Sequence, residues 1–191
     1  MGMRVTPTEL EGVLIVEPDL FRDERGFFLE TYRQDRYAEH GIDAVFVQDN
    51  HSQSRQGVLR GIHYQDLSAP QAKLVRCSRG AILDVAVDLR AGSPTFGRYV
   101  AVELSNENAR QLFVPVGFGH AFLTLSDVAE VQYKCTGYYA PGAEGAVRWD
   151  DPEVGIPWPV ARPVISARDG VAPSLAAYRE RPAFTYTPRV R

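Results

Sequence analysis

The chain is a succession of short apolar and β-branched runs, each stopped by a turn signal, and this pattern restricts the fold more than any other feature. The runs lie at 13–16, 44–47, 73–77, 81–89, 99–104, 112–115, 121–125 and 129–135. Between them stand Gly12, the pair Arg79 and Gly80, the triplet Gly92, Ser93 and Pro94, the polar stretch 105–108, and the turn around Gly117 and Gly119. Helical signals are few: a short polar stretch at 31–40 ending before Gly41, and 174–181 with Ser174 as N-cap after Pro173. Many short strands with little helix predict an all-β sandwich or barrel. Within 82–89, Leu83, Val85, Val87 and Leu89 share one face while Asp84, Ala86 and Asp88 share the other. Polar groups on an inward face suit a jelly roll with a ligand-sized interior, although periodicity alone leaves a Greek-key sandwich open.

With 191 residues, no repeat and no polar linker, the chain is expected to form one domain over 1–191. A core of that size does not depend on Cys77 and Cys135 being bridged. No apolar run approaches the ~18 to 20 residues of a membrane span, and the first ten residues lack a signal-peptide stretch. A cytoplasmic protein without membrane contact is the expectation. The net charge of −3 offers no broad basic surface, so no nucleic-acid partner is expected. All but two of the 21 basic residues are arginine, which draws attention to the lysines, Lys73 and Lys134.

Chemistry-bearing residues gather around the middle of the chain. The four histidines, at 40, 51, 63 and 120, are not spaced as a ligand set, so no metal is expected. His63 stands in strand-like sequence, where a lone histidine is commonly a hydrogen-bonded core or surface residue. Around it, however, lie Gln48, Asp49, Asn50, His51 and Ser52, then Arg60, Tyr64 and Gln65, then Gln71 and Lys73. Buried polar groups need partners, so some of these should face a wet or ligand-filled cavity. Arg60, Lys73 and Arg25 are candidates for an anionic group such as a phosphate, or are solvated surface charges. The turn at 115–119 delivers His120 to the start of a strand. Tyr133 shares strand parity with Val131 and Cys135, opposite Glu130, Gln132 and Lys134. It reads either as a core aromatic or as a phenol inside the barrel; Tyr138 and Tyr139 read as packing or rim residues. No Gly-rich phosphate loop, serine elbow or Cys–His signature is present.

Eight strings in order resemble one known family: DERGFFLE at 23–30, VQDNHS at 47–52, VLRGIHYQ at 58–65, QAKLVRC at 71–77, DVAVDLR at 84–90, SPTFG at 93–97, PVGFGHAF at 115–122 and SARD at 166–169. They are similar to the dTDP-4-dehydrorhamnose 3,5-epimerases, in register from about 10 to 175. The resemblance implies a metal-free, cofactor-free, cupin-like jelly roll that forms a homodimer, with an N-terminal strand lent to the partner's sheet. It also implies a substrate, dTDP-4-dehydro-6-deoxy-D-glucose, inverted at C3 and C5. By the same resemblance His63 is the base, Asp169 its orienting carboxylate and Tyr133 the acid on the opposite face. Arg25, Glu30, Gln48, Asp49, Asn50, Arg60, Lys73, His120, Glu144 and Arg168 fall at positions contacting substrate or nucleotide. Two departures stand out. Ala121 occupies a position where the family often has glycine, which could trim space beside the sugar. Arg168 replaces a frequent lysine and keeps the charge.

The chemistry fits these residues. A C4 ketone acidifies the hydrogens on C3 and C5, so an epimerase needs a base, an acid on the other face and a cation near the enolate oxygen. His63, Tyr133 and Lys73 supply them: an imidazole of ordinary pKa about 6.5 can accept a proton at neutral pH, and a phenol of about 10 can donate to a carbanion. Asp84 is placed to pair with Lys73, for catalysis or for structure. Relatives that invert only C3 or only C5 share the scaffold and form one alternative. A non-catalytic nucleotide-sugar-binding jelly roll and a metal-dependent cupin enzyme are others.

Overall fold

In chain order the computed structural model, which describes residues 2–188, runs β1 (Met3–Pro7), β2 (Leu14–Pro18), β3 (Phe21–Asp23), β4 (Gly26–Phe28), α1 (Gln34–Glu39), β5 (Gln48–Arg55), β6 (Leu59–Gln65), β7 (Lys73–Arg79), β8 (Ala81–Asp88), β9 (Arg90–Ala91), β10 (Tyr99–Ser105), β11 (Gln111–Val114), β12 (Phe118–Thr124), β13 (Val128–Cys135), β14 (Glu144–Ala146), α2 (Leu175–Glu180) and β15 (Phe184–Thr185). Six strands form one sheet in the order β1-β2-β11-β7-β13-β5, and five form a second in the order β10-β8-β12-β6-β14. Neighbours within both are antiparallel. The sheets face each other as a jelly roll, the fold expected from the strand pattern.

Strand alternation distributes side chains among three cores. Along β8, Ile82 and Ala86 point between the sheets, where they meet Val75, Cys77, Leu112 and Val131 from the six-stranded sheet. Val85 and Val87 point the other way, under Leu175 and Tyr178 of α2 and Phe184 of β15. On the far side, Leu74 and Phe113 meet Tyr37 of α1 and Ile42. Strands covered on both faces therefore read as nearly continuous apolar runs. The polar face noted on β8 is the inner one, and Asp84 on it is completely buried.

Both expected helices form, shortened at their ends, and the Ser174 side chain caps α2 by accepting from the Ala177 N–H at 3.1 Å. The expected strand at 44–47 does not. There Ala44 and Phe46 pack on the core under α1 while Val45 and Val47 are exposed, so the segment lies over the sheet instead of joining it. The strand is the polar run that follows, β5, an edge strand with Asn50, Ser52 and Ser54 turned inward and Asp49, His51 and Gln53 turned out. Within this one chain β1 pairs along its full length with β2.

One irregularity sets up the interior. On β6, His63 pairs with His120 and Arg60 with Phe122, so Gly61 and Ile62 together oppose the single residue Ala121. Regular alternation would turn Arg60 and His63 to opposite faces, and this bulge turns both inward. Gly61 has φ +121°, and a Cβ on it would lie 2.5 Å from both Ala121 Cβ and His120 O. Only glycine fits. Gly61→Ala is expected to destabilise the protein by about 2–4 kcal/mol, read as a lower urea midpoint with unchanged slope.

Candidate active site

His63 and Arg60 leave the five-stranded sheet inward, while Lys73 and Tyr133 leave the six-stranded sheet towards them. The four line one cavity of about 400 Å³, and an adjoining cavity of about 260 Å³, towards Gln48, Tyr139 and Glu144, shares His63, Lys73 and Tyr133 with it. The two form a single cleft between the sheets. His120, also among the lining residues, sits directly across from His63 on β12.

His63 Nε2 lies 2.6 Å from Asp169 Oδ1, and Asp169 is almost fully buried on a 3-10 turn. Ser166 Oγ accepts from the Asp169 N–H at 3.1 Å and holds that turn. Hydrogen bonding of Nε2–H to the carboxylate fixes the tautomer and leaves Nδ1 as the proton acceptor. Burial pulls the His63 pKa below its ordinary value, and Asp169 opposes that pull; Lys73 and Arg168 add to it. The imidazole is therefore neutral and competent as a base at neutral pH.

Tyr133 shares the inner face of its strand with Val131 and Cys135, as its parity predicted, and is paired across the sheet with Val75 and Asn50. Burial raises its pKa, so the phenol keeps its proton. Lys73 Nζ stands 5.8 Å from the centre of the Tyr133 ring. Burial lowers the Lys73 pKa, while Cys135, Asp84 and Glu144 act in the other direction.

The expected Asp84–Lys73 pair does not form. Asp84 Oδ1 is instead 2.7 Å from His120 Nε2, because β8 and β12 are adjacent and put the two side chains on the same inner face. Asp84 Oδ2 has no hydrogen-bond partner among the described residues. Ala121 does not border the cleft either: it points outward into the core beneath α2, so its methyl takes no space there.

The mouth is polar. Glu144 Oε2 accepts from Arg168 Nη1 at 2.5 Å and from the Tyr139 hydroxyl at 2.8 Å. Arg168 and Tyr139 hold the Glu144 carboxyl below its ordinary pKa against the effect of burial, which raises it. Gln48 donates to Asn50 Oδ1 at 3.0 Å, and Asn50 reaches Cys135 Sγ at 3.5 Å. Arg60 donates to Ser54 Oγ at 3.2 Å.

Three expected site residues lie elsewhere in this chain. Arg25 is on the exposed β3–β4 hairpin, paired with Asp23; Glu30 pairs with Arg36 at 3.1 Å. Asp49 takes the outer side of β5, where alternation sends it, 2.9 Å from Lys134. Conversely, Ser52, Phe122, Ile165 and Ser166 line the cleft without having been singled out as site residues. The parity of Ser52 with Asn50 was the available signal for the first. Of the four histidines only His63 and His120 face the cleft, and among the described residues no three His, Cys, Asp or Glu side chains group as a metal ligand set. No helix among them is long and apolar enough to cross a membrane.

A family model described as dTDP-4-dehydrorhamnose 3,5-epimerase matches residues 7–177. The dTDP-4-dehydrorhamnose 3,5-epimerase of Salmonella typhimurium is 53% identical over 175 residues, covering 91% of this chain and 96% of that one. A solved structure of the Legionella pneumophila dTDP-6-deoxy-D-glucose-3,5-epimerase, in complex with dTDP-4-keto-L-rhamnose, matches with TM-score 0.94 at 44% identity, over 98% of this chain and 100% of that chain. A 4-keto-6-deoxy sugar epimerase from the novobiocin biosynthetic gene cluster of Streptomyces spheroides matches at 0.93 and 41%, over 97% and 94%.

Because Asp169 is what holds the His63 pKa up against burial, Asp169→Asn is expected to move the imidazole titration to lower pH than in the parent protein. Proton NMR across pH 4 to 8, about the range in which imidazoles titrate, reads this directly. An unchanged or higher midpoint would contradict the pairing.

Proposed function

The chain belongs to the dTDP-4-dehydrorhamnose 3,5-epimerase family and is an isomerase, and from that premise we propose how its cleft works. The substrate is dTDP-4-dehydro-6-deoxy-D-glucose, and the reaction inverts C3 and C5 to give dTDP-4-dehydro-L-rhamnose. The observation that supports this most is the placement of His63 and Tyr133 on opposite sheets, facing one cleft that also holds Lys73.

His63 Nδ1 removes the proton from the carbon next to the C4 ketone, and Asp169 steadies the imidazolium that results. Electron density moves onto the ketone oxygen, where the Lys73 ammonium offsets the developing charge in a site of low dielectric. Tyr133 then gives its proton to the same carbon from the other side, and the configuration is inverted. Solvent then takes the proton from His63 and returns one to Tyr133, and a second round at the other α-carbon completes the conversion. Arg60 and Arg168 supply guanidinium groups for the diphosphate, while Gln48, Asn50 and Glu144 line the path to the mouth. His120, held by Asp84, contacts the sugar on the five-stranded side.

The same reading makes the protein a cytoplasmic homodimer. Arg25, Glu30 and the exposed Phe21, Phe27 and Phe28 lie on or next to the β3–β4 hairpin, away from the cleft of their own chain. In the dimer this N-terminal part crosses to the partner's cleft mouth, the form of exchange that remains while β1 pairs at home. The likeness to an epimerase from an antibiotic gene cluster favours one second reading, a monoepimerase of a deoxysugar pathway.

Incubation of the substrate in D₂O, with NMR readout at C3 and C5, tests these roles. His63→Ala is expected to reduce label uptake at both carbons by at least about 10²- to 10⁴-fold. Tyr133→Phe keeps the ring and should cost only about 0.5–1.5 kcal/mol in stability. Its base still removes protons and returns them to the same face, so labelled but uninverted sugar accumulates. Inversion at the parent rate would exclude Tyr133 as the acid, and label at only one carbon in the parent protein would favour the monoepimerase.

A further inference from the structure

Residues 137–140, between β13 and β14, form a loop whose backbone is bound by side-chain amides. Gly137 O accepts from Gln71 Nε2 at 2.8 Å, and Tyr138 O accepts from Gln65 Nε2 at 3.2 Å. The Tyr139 N–H donates to Gln48 Oε1 at 2.9 Å, and the Ala140 N–H donates to Gln65 Oε1 at 2.7 Å. Four successive residues are thus tied to the sandwich by three glutamines from three separate places in the chain. Gln65 carries the most: it is 6% exposed and its Nε2 also donates to Ala69 O at 2.8 Å. Both amide donors and the carbonyl oxygen are in use. The loop also lies flat on its neighbour, since a Cβ on Gly137 would come within 2.7 Å of Pro70 O.

What the loop presents is unusual for so firmly held a backbone. Tyr138 and Tyr139 are 71% and 54% exposed, and Tyr139 lines the mouth of the cleft that holds His63. Exposed aromatic rings make large contacts with a planar ligand, and they do so at lower entropic cost when the backbone beneath them is already ordered. A loop held by buried amides is ordered before the ligand arrives.

We propose that Gln65, assisted by Gln71, is a positioning residue for the nucleotide end of the substrate: it fixes residues 137–140 so that Tyr139 stands ready at the mouth with Tyr138 beside it, and so governs affinity and not the chemical step. This inference rests on the functional reading above. It requires no contact between Gln65 and the reacting carbons.

The test is Gln65→Met, which keeps length and volume but removes the three hydrogen bonds. Steady-state kinetics with the 4-keto sugar nucleotide would be combined with calorimetric titration of dTDP alone. KM and the dTDP Kd are expected to rise about tenfold together while kcat stays within about twofold. Unchanged KM and Kd in a variant that melts cooperatively would overturn the proposal, as would a fall in kcat with KM unchanged. If Gln65→Met does not fold, Gln71→Met removes only the bond to Gly137; a rise of about threefold in KM supports the proposal and no rise overturns it. A parent protein that fails to bind dTDP would overturn the functional reading and this inference with it, whereas a parent that binds and a variant that binds equally well overturn this inference alone.

Discussion

His63, Asp169, Lys73, Asp84 and His120 all sit between two β-sheets, and their desolvation is the constraint around which the rest of the interior is arranged. Each carboxylate is within hydrogen-bond distance of an imidazole from the neighbouring strand or turn, at 2.6 and 2.7 Å. Loss of water lowers the pKa of His63 and raises that of Tyr133, the directions that suit the base and acid roles proposed for them. The same dryness strengthens the attraction between a lysine ammonium and a nascent enolate.

His63 and Asp169 are 106 residues apart in sequence, yet they share a local frame. The segment approaching Asp169 is pinned to the start of β6, with Val164 N–H donating to Gly57 O at 2.8 Å and Leu59 N–H donating to Val164 O at 2.9 Å. Three residues after the cis Gly61–Ile62 bulge region begins with Arg60, the strand delivers His63. The carboxylate and the imidazole are therefore both positioned from β6 of the five-stranded sheet, and helices pack on the two outer faces.

Much of this was legible in the residues. β7, β8, β10 and β13 are covered on both faces or alternate cleanly, so their apolar runs announced them, and the parity of Tyr133 correctly turned it inward. β5 was not legible as a strand because neither of its faces is apolar: one lines a polar cleft and the other meets solvent. The apolar 44–47 drew attention away from it, although those residues serve the core under α1. The bulge at Gly61 escaped for a different reason. A strand read at strict period two turns Arg60 and His63 to opposite faces, and only the pairing with β12 reveals the extra residue. Likewise Lys73 and His120 both compete for Asp84, and strand adjacency gave it to His120. Glu30 was marked by family likeness alone and Arg25 also as an arginine for an anionic group, and one chain does not bring either to the cleft.

The amide ties under residues 137–140 also bear on how the protein responds to its solution. Neutral hydrogen bonds of this kind are nearly indifferent to ionic strength, whereas contacts between guanidinium groups and a diphosphate weaken as salt screens them. The backbone of residues 137–140 thus keeps its ties from dilute to concentrated salt, while the Arg168–Glu144 ion pair beside it is open to screening. Shape and charge are therefore set by different groups in this cleft, the glutamine amides under the loop and the Arg60, Lys73 and Arg168 side chains around it.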